Sequence, residues 1–224
     1  MTSSGDGAPR DDAADDGPAQ MSPSGRLGSD HYFSAAPAAP SAPRDIRVVV
    51  GGEAMHLTTD RGIFSGDHLD PGTAVLLRRA PDPPADGTLL DIGCGYGVIA
   101  CSLARRSPRA TVIGVDVNAR ALELTRANAR RLGLGNVVAH QPDSVDPATT
   151  FAAIYSNPPI HIGKPLLHGL LLRWLPRLEP GGRAYLVVHR HLGSDSLQRW
   201  LGSVGFACER VTSVRGYRVL SAGR

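Results

Sequence analysis

Residues 88–97 read TLLDIGCGYG, and the order of residue types in this stretch decides the fold. The run Thr88–Ile92 has the composition of a buried strand, and the glycines at 93, 95 and 97 lead directly into VIACSLARR, whose apolar positions recur at helical spacing. A glycine-rich turn between a strand and a helix is the arrangement that accepts a nucleotide. Gly93 and Gly95 allow a tight turn and the close approach of a ligand that a Cβ would obstruct, and Gly97 is expected to let the helix pack close to the strand.

Outward from this stretch the alternation of strand and helix continues. TVIGVD (111–116) reads as the next strand, and Asn118 caps the helix ARALELTRANARRLG, which stops at Gly133. NVVAH (136–140), FAAIYSN (151–157) and RAYLVVH (183–189) are further strands. The apolar segment KPLLHGLLLRWLPRL (164–178) between the last two reads as a helix closed by a turn, EPGG. A helix over SDSLQRWLGSVG (194–205) precedes two strands, FACERVTS (206–213) and RGYRVLSA (215–222), joined too closely for a crossover and therefore antiparallel. Upstream, DIRVVVGGEAMHLTTD (45–60) predicts a β-hairpin about Gly51 and Gly52. Asp70, followed by Pro71, predicts the cap of a helix reaching about Arg79. The expectation is an α/β fold, a mostly parallel sheet with helices on both faces.

Bulk properties bound the function. The chain has 224 residues, enough for one domain, with 42% hydrophobic and 20% charged residues and no apolar run long enough to span a bilayer. Residues 1–43, rich in Ala, Pro, Ser, Gly and Asp, are expected to be a disordered tail, and 44–224 the folded domain. The N-terminus has neither a basic n-region nor an apolar h-region, so no secretory signal is expected. Cys94, Cys101 and Cys208 show no paired spacing, which suits a reducing cytoplasm. No metal is expected either: His189 and His191 in VVHRHLG have no carboxylate or thiolate cluster beside them and read as strand-end residues. The formal charge is +3, yet residues 1–43 carry six acids against two bases, so the remainder is more basic than the whole. Such a domain suits a polyanionic partner, although a basic charge carried almost wholly by arginine, with Lys164 the only lysine, is equally a matter of composition.

Several residues carry candidate chemistry. Asp91 ends its strand where a carboxylate can accept hydrogen bonds from a cationic amino-acid moiety. Asp116 ends the next strand, where it takes ribose hydroxyls or, alternatively, caps a helix. Asp143, in QPDSVD, either faces an adenine amine or forms a plain turn. After the fourth strand of the alternating series comes Asn157-Pro158-Pro159-Ile160, whose prolines fix φ and surrender their N–H groups, leaving a stiff, carbonyl-rich loop. The Asn157 side-chain oxygen and the Pro158 carbonyl can accept both protons of an exocyclic amine. They would aim its lone pair and favour the positive charge that develops on nitrogen as it is alkylated.

At DIGCGYG (91–97) and VDVN (115–118) the chain resembles the class I S-adenosylmethionine-dependent methyltransferases, over nearly all of residues 45–224. The resemblance implies a Rossmann-like sheet of seven strands with the last one antiparallel and S-adenosylmethionine as cofactor. It places Asp91, Gly93, Cys94, Gly95, Tyr96, Gly97, Asp116, Val117 and Asp143 around that cofactor. Three longer strings, GIFSGDHLDPGT (62–73), NPPIHIGK (157–164) and GYRVL (216–220), resemble the small-domain, RsmC-type ribosomal RNA guanine-N2 methyltransferases. That resemblance implies ribosomal RNA or the small ribosomal subunit as partner, with guanine N2 of 16S ribosomal RNA as the acceptor. It sets Phe64, Ser65, Asp70, Gly72 and Thr73 at the border of the cofactor pocket and makes Asn157 and Pro158 the acceptors of the guanine amine. Pro159 and Ile160 complete the loop. Ile160 stands where many relatives carry a stacking aromatic. His161 against the base or ribose and Lys164 against a phosphate are candidate contacts, equally readable as solvated loop residues. The rival substrates are a protein glutamine, a nucleic-acid adenine or a small metabolite. A non-enzymatic rival is an S-adenosylmethionine-binding RNA-interaction protein. A nicotinamide-dependent enzyme would use the same glycine loop but leaves Asn157-Pro158-Pro159 without a role.

Overall fold

The structure, a computed structural model, describes residues 40–63 and 68–224. Nearly all of the expected disordered tail, and both Phe64 and Ser65, lie outside the described residues. The tail's last residues are not loose: Ser41 Oγ donates to the buried Asp60 carboxylate at 2.7 Å, and the Ala42 N–H donates to the same group.

Strands β1 (Arg44–Val50) and β2 (Glu53–Thr59) form the expected hairpin. Its two turn residues, Gly51 and Gly52, have φ of 61° and 87°, the left-handed pair that a two-residue turn requires to match strand twist. Helix α1 (Pro71–Arg79) begins with proline at its first position and is capped by Asp70, whose carboxylate accepts from Thr73 N–H at 2.7 Å. Then follow β3 (Thr88–Ile92), α2 (Val98–Arg106), β4 (Thr111–Val115), α3 (Ala119–Arg131), β5 (Val137–His140), β6 (Phe151–Ser156), α4 (Lys164–Trp174), β7 (Leu178–His189), α5 (Ser194–Ser203), β8 (Ala207–Val214) and β9 (Tyr217–Gly223).

The last seven strands form one sheet in the order β5-β4-β3-β6-β7-β9-β8. Pairing is parallel from β5 through β7, while β9 lies antiparallel between β7 and β8. This is the Rossmann-like sheet that the alternation and the resemblance led one to expect. Because successive strand residues face opposite sides, each strand feeds two cores. Leu89, Val112, Tyr155, Val187 and Val219 pack with α1, α2, α3 and the hairpin; Leu90, Ile113, Ile154, Leu186 and Leu220 pack with α4 and α5.

Two segments depart from expectation. The helix from Lys164 ends at Trp174, and Leu175–Arg177 is a single 3-10 turn. Pro176 is the cause, since it has no N–H for the helical ladder and its ring would strike the carbonyl of Leu172. EPGG is not a turn between elements but lies within β7. There the pairing with β6 jumps from Phe151↔Leu178 to Ala153↔Arg183, and Gly181 supplies the positive φ of a bulge.

Asn128, buried on α3, ties three elements together. Its side-chain oxygen accepts from Thr58 N–H at 2.8 Å, and its Nδ2 donates to the carbonyls of Thr58 and Tyr96, both at 2.8 Å. Asn128→Ala leaves these backbone groups unpaired in the interior and should cost about 2 kcal/mol or more in a urea titration. Hydrogen exchange should accelerate at Thr58 before the central strands.

Candidate active site

Register assembles the site. Ile92 pairs with Val115 on one side and Ser156 on the other, so the residues that follow, Gly93, Asp116 and Asn157, leave the sheet side by side at its carboxyl edge. Local bonds hold the edge together: Gly93 and Cys94 N–H both donate to the Val115 carbonyl, at 2.8 and 3.0 Å, and Ser156 Oγ donates to the Ile92 carbonyl at 2.7 Å. A cavity of about 480 Å³ opens over this edge, within the roughly 300–1,000 Å³ usual for small-molecule sites.

At one end the glycine loop and Asp116 form the wall. Gly93 and Gly95 have φ of 73° and 56° and line the cavity, and no atom lies within 3.4 Å of a Cβ built on either, so their missing side chains leave open space. Gly97 does something other than expected. Its φ is 87°, and a Cβ there would meet Thr125 of α3 at 2.9 Å, so it admits a neighbouring helix rather than bringing its own helix onto the strand. Asp116 accepts from Gly95 N–H at 3.0 Å and Asn118 N–H at 2.9 Å. It does not cap α3. Asn118 does, accepting from Arg120 and Ala121 N–H, which leaves Asp116 facing the cavity with lone pairs to spare. Burial pushes the Asp116 carboxyl upward, against the downward pull of its N–H donors.

Beneath the loop, Asp91 is fully buried. One carboxyl oxygen accepts from Ala100 N–H at 3.0 Å and the other has no partner. Burial, aided by the charge of Asp116, pushes its carboxyl up to about 8.

At the other end stands Asn157. Its Nδ2 donates to Asp70 at 2.8 Å and to Thr73 Oγ1 at 3.0 Å. Asp70 has no proton to offer when ionised, so the pairing fixes which end of the amide is which: nitrogen toward α1, carbonyl oxygen away. The same Asp70 oxygen that caps α1 therefore orients Asn157. Pro158, Pro159, Ile160 and His161 continue the wall, and Trp174, His189 and Tyr217 add aromatic surface.

Of the residues expected at the site, Gly93, Gly95, Asp116, Val117, Asn157, Pro158, Pro159, Ile160 and His161 line the cavity. Asp91, Cys94, Tyr96 and Gly97 lie buried behind the loop, and Thr73 acts on Asn157 from outside the lining. Asp143 is not brought to the cavity: its carboxylate pairs with Arg173 at 2.8 Å, and Pro142 takes its place on the wall. Lys164 is exposed at the start of α4, beside rather than in the cavity. Among the described residues no group of three or more His, Cys, Asp or Glu could hold a metal, and no helix is long and apolar enough to cross a membrane.

A family model for the methyltransferase small domain matches residues 54–221. The chain belongs to the methyltransferase small-domain family. Within it, the uncharacterized protein YbxB of Bacillus subtilis is 34% identical over 197 residues, covering 87% of this chain and 98% of that protein. Ribosomal RNA small subunit methyltransferase C of Pseudomonas aeruginosa is 39% identical over 170 residues, 73% of this chain and 49% of the relative. This small-domain chain thus spans about half the length of the methyltransferase C relatives it matches. Among solved structures, the T. thermophilus 16S rRNA N2 G1207 methyltransferase (RsmC) in complex with AdoMet and guanosine aligns with a TM-score of 0.68 at 25% identity, over 84% of this chain and 52% of that one.

S-adenosylmethionine, the cofactor of this family, fits the residues present. The side chains missing from Gly93 and Gly95 leave room, Asp116 retains acceptor capacity, and the Asp91 carboxyl, which burial keeps protonated in the ligand-free protein, has an unpartnered oxygen under the loop that a bound cation would draw toward its ionised form.

The raised Asp91 carboxyl has a stability consequence of definite sign. An acid whose folded pKa lies above its unfolded value, about 4, holds a proton in the folded state that the unfolded chain has lost, so folding stability falls as pH rises from about 4 to about 8. Asp91→Asn removes that dependence. In thermal melts without ligand, the variant should gain on the wild type progressively between pH 5 and pH 8.5; parallel curves would show that the carboxyl is not shifted.

Proposed function

We propose that this protein transfers a methyl group from S-adenosylmethionine to the exocyclic N2 of a guanine in 16S ribosomal RNA. The observation that carries this reading is the fixed amide of Asn157: with Nδ2 committed to Asp70 and Thr73, the side chain presents an acceptor, not a donor, at the cavity. An exocyclic amine needs such a partner. Conjugation with the ring makes it a weak nucleophile, and its two protons require acceptors placed so that the lone pair points at the methyl carbon.

The bound cofactor supplies an electrophilic methyl on a sulfonium. Asn157 Oδ1 and the Pro158 carbonyl accept hydrogen bonds from the two amine protons as positive charge grows on nitrogen, which stabilises the transition state more than the ground state; as the N–C bond forms, the S–C bond breaks to leave S-adenosylhomocysteine, and one amine proton then passes to water. Pro158 and Pro159 fix φ and stiffen the loop, and Pro158 is itself buried. Asp116 takes the ribose hydroxyls, the Gly93–Gly97 loop passes beside the cofactor, and the buried Asp91 beneath it ionises more readily when the cationic cofactor is bound. Phe64, Ser65 and Thr73 belong to the segment bordering the cofactor in this reading, and His161 and Lys164 face the RNA.

The relatives named for the small-subunit rRNA methyltransferase support the RNA substrate, as does the structural neighbour bound to AdoMet and guanosine. So does the excess of arginine in the folded part, which predicts an RNA affinity that falls steeply with salt. Such a substrate, free or within the small subunit, places the reaction in the cytoplasm.

Transfer of a labelled methyl group to small subunits, naked 16S rRNA and ribosomal protein, followed by nucleoside analysis, should yield N2-methylguanosine. Label in protein or in adenine would overturn the guanine assignment. Asn157→Ala should lower kcat by about 100-fold or more while leaving S-adenosylmethionine affinity near wild type in calorimetry. Asp116→Ala should weaken that affinity by about 10- to 100-fold.

A further inference from the structure

Aromatic surface beside Asn157 comes from the opposite end of the chain. Tyr217 opens β9 and pairs in antiparallel register with His189, the last residue of β7, and both line the cavity. Their rings meet edge to face, with centroids 4.9 Å apart and an interplanar angle of 76°. Each ring is seated on a glycine. A Cβ on Gly72 would come within 2.9 Å of the Tyr217 ring, so the tyrosine lies directly on the turn from Asp70 to Thr73 that holds Asn157. A Cβ on Gly216 would come within 2.6 Å of His189 Nε2, so the histidine rests on the β8–β9 turn, where the Arg190 N–H donates to the Gly216 carbonyl at 2.7 Å. Burial, and then the charge of Asp70, push the Tyr217 phenol upward.

A flat ring braced this way, on the wall that also carries Asn157, has the form of a stacking surface. A base drawn out of RNA loses its neighbours' stacking and must regain it in the pocket, and stacking on an aromatic side chain is worth about 1–3 kcal/mol. Ile160 offers only aliphatic contact. We propose that Tyr217, braced by its edge-to-face contact with His189, is the face on which the substrate base stacks, setting the plane of the base while Asn157 and Pro158 set its amine. This rests on the reading that the acceptor is a nucleic-acid base.

The test compares wild type, Tyr217→Phe and Tyr217→Leu for kcat/KM with 16S rRNA, alongside S-adenosylmethionine affinity by calorimetry. Leucine should lower kcat/KM by about 5- to 150-fold, the equivalent of 1–3 kcal/mol, with cofactor affinity unchanged. Phenylalanine should stay within about threefold of wild type, because the ring is kept. Should the leucine variant fail to fold, His189→Leu removes the brace and should lower kcat/KM in the same direction by a smaller factor. A wild type that labels guanine, with Tyr217→Leu equally fast or Tyr217→Phe as slow as leucine, overturns the stacking role and leaves the function standing. A wild type that labels no base overturns both.

Discussion

Parallel pairing in a single register is the constraint from which the site follows. Once Ile92 is set against Val115 and Ser156, the chain has no choice about where Gly93, Asp116 and Asn157 emerge. The glycine loop, the cavity-facing carboxylate of Asp116 and the amide of Asn157 follow three strands separated along the sequence, yet they share one edge and one cavity. Two apolar cores hold that register by packing opposite faces of the sheet, and a slip of one residue would exchange them. Burial of leucine and valine far from the ligand thus determines the placement of polar groups beside it.

On this frame one carboxylate links stability to chemistry. Asp70 caps α1 through Thr73 N–H and accepts from Asn157 Nδ2 with the same oxygen. A helix N-terminus is a common place for an aspartate, and the cap alone would explain it. The second bond means that forming α1 also decides which way the Asn157 amide points, before any substrate arrives. In the proposed transfer such an amide has little reorganisation left to undergo. Tyr217, laid on Gly72 in the same turn, adds the third fixed element of that wall.

Much of the fold was legible because local signals agreed with one another. The strand–glycine–helix junction at 88–97, the caps at Asp70 and Asn118 and the paired glycines of the hairpin each depend on neighbours in sequence, and each stands where expected. What could not be read depends on distant pairing. EPGG has turn composition, and only its partner β6 makes it a bulge. Asp70 and Asn157 are 87 residues apart, and nothing in either stretch announces the bond. His189 and Tyr217 meet because β9 inserts between β7 and β8, a choice of topology rather than of composition. Asp143, readable from its position after a strand either as an adenine contact or as a plain turn residue, lies in a 3-10 turn with its carboxylate paired to Arg173, one residue before the end of α4.

The central claim is that Asn157 is held as an acceptor for an exocyclic amine, and the structure of a ternary complex with S-adenosylhomocysteine and guanosine measures it most directly. The expected result has guanine N2 within hydrogen-bond distance of both Asn157 Oδ1 and the Pro158 carbonyl, with Asn157 Nδ2 still on Asp70. Guanosine bound outside the cavity, or an Asn157 amide turned with its nitrogen toward the base, would contradict it.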